Sequence, residues 1–234
     1  MRRFLAVLMV TVCFIVAVTL RAQSNFHTRI IQASHDVAIP PELRKKLSNA
    51  ADIEAFLRLP NHDAVVVYDT VSETDNANFM DNDPHFAIFR GGVALLNTDS
   101  GAPVGPVRFH GMAAIPISDE ASVLAFAFQL GGDGAGTFFV FVGQKPGGYG
   151  AVATLEGVQA QLRFREGSPG TFVLWTADGW IGRGVDATCV WCPKYYKLKK
   201  YAWENGKPQH LSTVRTRQGF KPETFDDSPF LITK

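Results

Sequence analysis

Short apolar segments separated by turn clusters run from Asp63 to Thr213, and this rhythm most narrows what the chain can fold into. Leu124, Phe126, Phe128 and Leu130 alternate with Ala125, Ala127 and Gln129, so a strand there carries its large side chains on one side. Thr137 to Val142 is apolar at both parities, as in a central strand covered on both faces. Val158, Ala160, Leu162 and Phe164 alternate with Gln159, Gln161, Arg163 and Arg165, the pattern of a half-exposed antiparallel strand. Ala64 to Tyr68 reads as a buried strand and Thr70 to Pro84 as a loop. Phe86 to Phe89 and Gly92 to Asn97 read as a hairpin around Arg90-Gly91. The expected fold is mainly β, an antiparallel sandwich or partly open barrel of meandering hairpins. Strands do not alternate with helical patterns, which argues against a doubly wound α/β fold.

One segment breaks the strand rhythm. Leu43, Leu47, Ala50, Ile53 and Leu57 recur at spacings of three and four, which predicts an N-terminal helix over 41–59. Pro41 suits its first turn, where the missing N–H costs nothing, and Pro60 ends it. Residues 23–40 read as an extended lead-in, 41–217 as a single β-rich domain including that helix, and 218–234 as an irregular C-terminal tail. In the tail Phe220, Phe225 and Phe230 are candidate docking points. A chain that is 46% hydrophobic and 19% charged is globular rather than disordered.

Arg2 and Arg3 precede an uncharged apolar run, Phe4 to Leu20, followed by Arg21-Ala22-Gln23. Residues 1–22 are expected to be a signal peptide cut after Ala22. An uncleaved N-terminal anchor is the alternative, because the run falls between the two characteristic lengths. Either way the body is expected to be exported, to the periplasm or the extracellular space. Cys13 lies in the leader, so the remaining pair, Cys189 and Cys192, would meet an oxidising compartment.

Cys189-Val190-Trp191-Cys192 has three readings. It can be a structural disulfide closing a loop between strands, a redox pair, or half of a zinc site. A redox pair wants its first thiol at a helix N-terminus, whereas Pro193 and a lysine-rich strand follow here. Zinc needs two more ligands, and only His210 is near in the chain. The disulfide is therefore the expected state.

The strand after it, Lys194 to Trp203, interleaves lysines with aromatics, and Asn205-Gly206 is a strong two-residue hairpin turn. Tyr196 and Leu198 share one parity, Tyr201 and Trp203 the other. A β-bulge near Lys199-Lys200 would let both pairs face the core. Between Val190 and Lys221 there are eight basic residues and one acid, Glu204, giving a net of +7 in a mature chain whose remainder carries −9. Lys194, Tyr195, Lys197, Lys199, Lys200 and Trp203 are thus the candidate binding residues, for an anionic envelope component or another protein. The plainer reading is that lysines protect an exposed edge strand from pairing with another chain. Nucleic acid is not an expected partner.

Other constellations are weaker. The acidic loop with Glu73, Asp75, Asp81, Asn82 and Asp83 lacks the glycine and distal glutamate of a calcium-binding EF-hand. Gly131 to Gly136 has no following Lys-Ser/Thr and reads as a hairpin turn rather than a phosphate loop. No metal ligand set or cofactor motif is present, and no catalytic residue is assigned. His85 and His110, each beside a predicted strand, are the pair an enzyme would use. The function expected is an exported bacterial-type envelope protein, a non-catalytic binding or interaction module using the basic aromatic C-terminal hairpin. The alternative is a secreted hydrolase with a loop-assembled site.

Overall fold

Three sheets, each built on four consecutive antiparallel strands, lie face to face. They are seen in a computed structural model that describes residues 27–70, 83–101, 107–117, 121–130, 136–168, 170–180, 193–217 and 228–234. The front sheet is β2 (Ala50–Arg58), β3 (Ala64–Thr70), β4 (Asp83–Arg90) and β5 (Val93–Asp99), in that order. The middle sheet is β6 (Val107–Pro116), β7 (Ser122–Leu130), β8 (Gly136–Lys145) and β9 (Gly148–Val158), with β1 (Arg29–Gln32) added beside β6. The outer sheet is β10 (Gln161–Arg165), β11 (Thr171–Trp180), β12 (Pro193–Glu204) and β13 (Lys207–Arg215). Its β10 edge is extended by β14 (Phe230–Thr233), which runs parallel to it. The sheets do not close into a barrel.

The middle sheet is the structural centre because both of its faces are apolar. Leu124, Phe126 and Phe128 of β7 lie opposite Val142, Val140 and Phe138 of β8 and pack onto Val65, Val67, Phe86 and Ile88 of the front sheet. On the other face the small Ala125 and Ala127 lie opposite Phe141 and Phe139, leaving those rings room to meet Phe164, Phe172 and Phe230 of the outer sheet. Phe86 stacks on Phe126 at 4.3 Å across the first interface, and Phe141 on Phe172 at 5.3 Å across the second. Each such aromatic pair adds about 0.5–1.5 kcal/mol beyond the burial of its area. Leu43, Leu47 and Ile53 cover the far face of the front sheet.

The helix expected over 41–59 is a correction. Only α1 (Pro41–Arg44) is helical, and Ala50–Arg58 is strand β2. Two bulges interrupt the pairing of β2 with β3, leaving Ala51 and Glu54 as extra residues. The second bulge turns Ile53 toward the outside cluster while Ala55 and Leu57 face the middle sheet. A bulged strand buried on both faces places apolar residues at spacings that mimic a helix.

Four further boundaries move. Arg29–Gln32, within the extended lead-in, is a paired strand, and Phe230–Thr233, within the irregular tail, is another. Phe230 does dock, at 2% exposure. The strand read through Val158 and Phe164 is two strands in different sheets. Gln159, at φ 45°, turns the chain out of the middle sheet and into the outer one. Asp83 and Pro84 belong to β4 rather than to the loop before it.

Candidate functional site

The C-terminal hairpin forms as expected, with Asn205 at φ 51° and Gly206 at φ 76° supplying the positive dihedrals of its turn. Its position differs from the edge-strand reading: β12 lies between β11 and β13, and β13 is the edge. The expected bulge is present between Lys200 and Tyr201, but the extra residue is Leu211 on β13. β12 keeps its parity against β11 throughout. Tyr201 and Trp203 therefore face the middle sheet, and Tyr196 and Leu198 face the opposite way.

That parity splits the candidate residues, because residues paired across strands project to the same side. Lys197 and Lys199 lie opposite Thr176 and Leu174 and face inward. Lys200 lies opposite Val173 and faces outward. The lysines do not gather on one face. Tyr195 faces inward under Arg215, whose guanidinium carbon sits 4.3 Å from the ring centre. Lys197 is neutralised by Asp178 at 3.1 Å, and Arg215 reaches the same carboxylate at 2.9 Å. Trp203 packs toward the core, 6.0 Å from Phe141. Lys194 sits in β12, its side chain outside the described residues. Cys189 and Cys192, the Gly131 turn and most of the acidic loop also lie outside them.

The outward face of the outer sheet holds a group that the sequence reading passed over. Arg163 of β10 lies with its guanidinium carbon 3.6 Å from the centre of the Trp175 ring, and Trp175 meets Tyr196 at 5.7 Å. The stack thus spans three strands. Nε of Arg163 donates to Oε1 of Gln161 at 2.7 Å. Burial lowers the Arg163 guanidinium below its ordinary value, and burial pushes the Tyr196 phenol up to about 12. Two cross-strand rows, Leu231-Arg163-Val173-Lys200-Ser212 and Gln161-Trp175-Leu198-Val214, carry two cations and no carboxylate. Val214 is 60% exposed there. The signal was present in the alternation: Arg163 and Trp175 fall on the parity opposite Leu162, Phe164 and Leu174.

A second concave feature opens at the end of the middle sheet where β7, β8 and β9 terminate. It is a cleft of about 510 Å³, lined by Leu130, Phe138, Val140, Glu156, Thr176 and Lys199 among others. Gly157 beside it admits no side chain, because a Cβ there would lie 2.3 Å from Cγ2 of Thr176.

His85 and His110 lie in different sheets, β4 in the front one and β6 in the middle one. His85 stacks on Tyr68 at 5.5 Å in the front sheet. His110 lines a cleft with Gln32, Ser228 and Phe230, and no Asp or Glu lines that cleft among the described residues. His35 stands against a carboxylate, its Nδ1 2.7 Å from Oδ2 of Asp52. That hydrogen bond, and then the Asp52 charge, raise the His35 imidazole, which is exposed. Among the described residues no group of three His, Cys, Asp or Glu is placed to hold a metal ion, and no helix is long and apolar enough to cross a membrane.

Comparison with protein-family models, with curated proteins and with solved structures returns no match.

Proposed function

We propose that this chain is an exported, non-catalytic binding module whose contact surface is the outward face of the outer sheet, and that its partner is an anionic polymer of the cell envelope. The observation that carries this reading is Arg163. It is half-buried, its guanidinium carbon lies 3.6 Å from the centre of the Trp175 ring, and its side-chain hydrogen bond among the described residues is to the neutral Gln161 amide. A fixed guanidinium with free N–H groups is preorganised for phosphate or carboxylate and loses little rotamer freedom on binding. Lys200 stands two strands from Arg163, on the far side of Val173, and exposed Val214 and half-buried Leu198 flank the stack. The C-terminal hairpin takes part through Lys200, Leu198 and Tyr196, not through Lys197 or Trp203.

Retention on a heparin matrix tests this. Wild-type protein is expected to elute later than Arg163→Gln/Lys200→Gln, with the difference shrinking as salt is raised. Equal elution of the two, with both folded by circular dichroism, overturns the proposal. The same export places Cys189 and Cys192 in a disulfide, so alkylation of native protein should leave the intact mass unchanged; two added alkyl groups would contradict it.

A further inference from the structure

We propose that the free edge of β13 docks an extended acidic segment of a second protein, which adds to the outer sheet as a further strand. The direction of the backbone hydrogen bonds shows which residues are on offer. In an antiparallel pair, successive residues bond alternately to the partner strand and to the opposite side. Trp203 N donates to the carbonyl of Gly170 at 2.7 Å, and Thr216 N to that of Tyr196 at 2.9 Å. Odd-numbered residues of β12 thus bond to β11 and even-numbered ones to β13. Val214 and Ser212, opposite Leu198 and Lys200, are engaged with β12. Arg215 and Thr213, opposite Lys197 and Lys199, direct N–H and C=O to the open side. No strand lies beyond β13 among the described residues. Past the bulge the same alternation turns Pro208 and His210 outward. Pro208 has no N–H to offer, so the usable edge begins at His210.

His210 to Arg215 are exposed at both parities, so neither face of this edge is covered. Edge strands are commonly blunted by charges, proline or a bulge. β13 keeps its bulge, but Gln209 to Val214 hold no Lys, Arg or Pro, and Leu211 and Val214 are 50% and 60% exposed. The lysines sit on β12, an interior strand that needs no such protection. The front sheet treats its own edge differently: Ser34 and Val37 donate to the carbonyls of Glu54 and Ile53 on β2.

Charge selects the occupant. Pro193 to Arg215 hold six basic residues and one acid, Glu204. Asp178 serves both Lys197 and Arg215, one carboxylate for two cations. Lys207 and Arg215 bracket β13, which carries no acid. A second copy of this chain would bring two basic hairpins together, whereas an acidic segment is attracted. Strand addition then supplies main-chain hydrogen bonds, and an apolar residue of the segment lies beside Val214.

The edge rather than the outward face is used, so this proposal and the preceding one stand or fall separately. Fluorescence anisotropy of the full chain with labelled Glu-Glu-Val-Thr-Val-Thr-Val-Glu-Glu tests it. This peptide is expected to bind. Lysine in place of every glutamate, or Pro-Pro in place of the central Thr-Val, should weaken binding by about tenfold or more, the worth of a net hydrogen bond or two. Thr213→Pro removes an N–H that β12 does not use, so it should fold and lose the peptide to a similar degree. No binding of the glutamate peptide, equal binding of the lysine or Pro-Pro peptide, or undiminished binding by folded Thr213→Pro overturns the proposal. The peptide comparisons need no variant to fold. Heparin retention unchanged in Thr213→Pro keeps this outcome distinct from that of the outward face.

Discussion

Asp63 and Arg90 form a two-pronged ion pair: Nε donates to Oδ1 and Nη2 to Oδ2, each at 2.8 Å. Asp63 is fully buried, and the hydroxyl of Tyr149, at the start of β9, donates to its Oδ2 at 2.7 Å. Asn61 donates to the same oxygen at 2.9 Å. The carboxylate thus ties the front sheet to the middle one, by charged hydrogen bonds rather than apolar contact. Asp63→Ala is expected to destabilise the protein more than Tyr149→Phe, because it removes the shared acceptor of Arg90, Tyr149 and Asn61 at once. Tyr149→Phe should cost about 1.5–3 kcal/mol, as for one hydrogen bond to a charged group. Urea unfolding of both variants checks the pair.

Two buried acids of opposite behaviour should shape the pH dependence of stability. The hydrogen bonds from Arg90 hold the Asp63 carboxyl below its ordinary value against the opposing effect of burial, with Tyr149 and Asn61 assisting. Its contribution is present above the unfolded carboxylate range and is lost as pH falls through the depressed value. Glu54, the extra residue of a bulge, is pushed up to about 8 by burial and then by the charges of Asp69 and Asp52. The folded state then keeps a proton that the unfolded chain releases. Stability from this group is complete below the unfolded glutamate value, about 4.3, and declines as pH rises toward 8. Glu54→Gln is expected to flatten the decline between pH 5 and 8 in thermal melts; an unchanged slope would rule out Glu54 as its source.

The contact between Gly157 and Thr176 sets how closely β9 approaches the outer sheet. Gly157→Ala is expected to cost about 1–3 kcal/mol, as overpacking does. Thr176→Ser removes the methyl that the new Cβ would strike, so the double variant should recover most of the loss. Chemical denaturation of the two singles and the double is the measurement.

Phe230 lies 5.7 Å from Phe139 and 6.2 Å from Phe164, joining the last strand to both the middle and the outer sheet. Phe230→Ala is expected to destabilise by about 3–5 kcal/mol, as for other buried aromatic truncations. Ile232, 43% exposed two residues on, serves as the control: Ile232→Ala should stay within about 1 kcal/mol.

The comparison of particular elements shows which sequence signals carry. The double parity of Thr137 to Val142 was enough to identify a strand covered on both faces, and the alternation in Leu124 to Leu130 a neighbour with its large residues on one side. That is the middle sheet. The bulge near Lys200 was also legible, because two apolar pairs of opposite parity, Tyr196 with Leu198 and Tyr201 with Trp203, demanded explanation. It resolved differently: both strand faces are partly apolar, and the inserted residue is on the neighbour. β2 misled for a related reason, since its bulge at Glu54 changes which face each later residue meets.

Local chemistry, namely strand parity, turn residues and the Asn205-Gly206 hairpin, was enough to make this a meander of antiparallel strands. Those features act over a few residues and need no distant partner. Stacking decided the rest. Strand alternation already puts Lys199 and Lys200, adjacent in the chain, on opposite faces of one sheet, and only the packing of three sheets determines which of those faces is covered. Packing also lays Arg163 on Trp175. Contacts between residues tens of positions apart leave no periodic trace in a sequence, and it is those contacts that make the candidate sites.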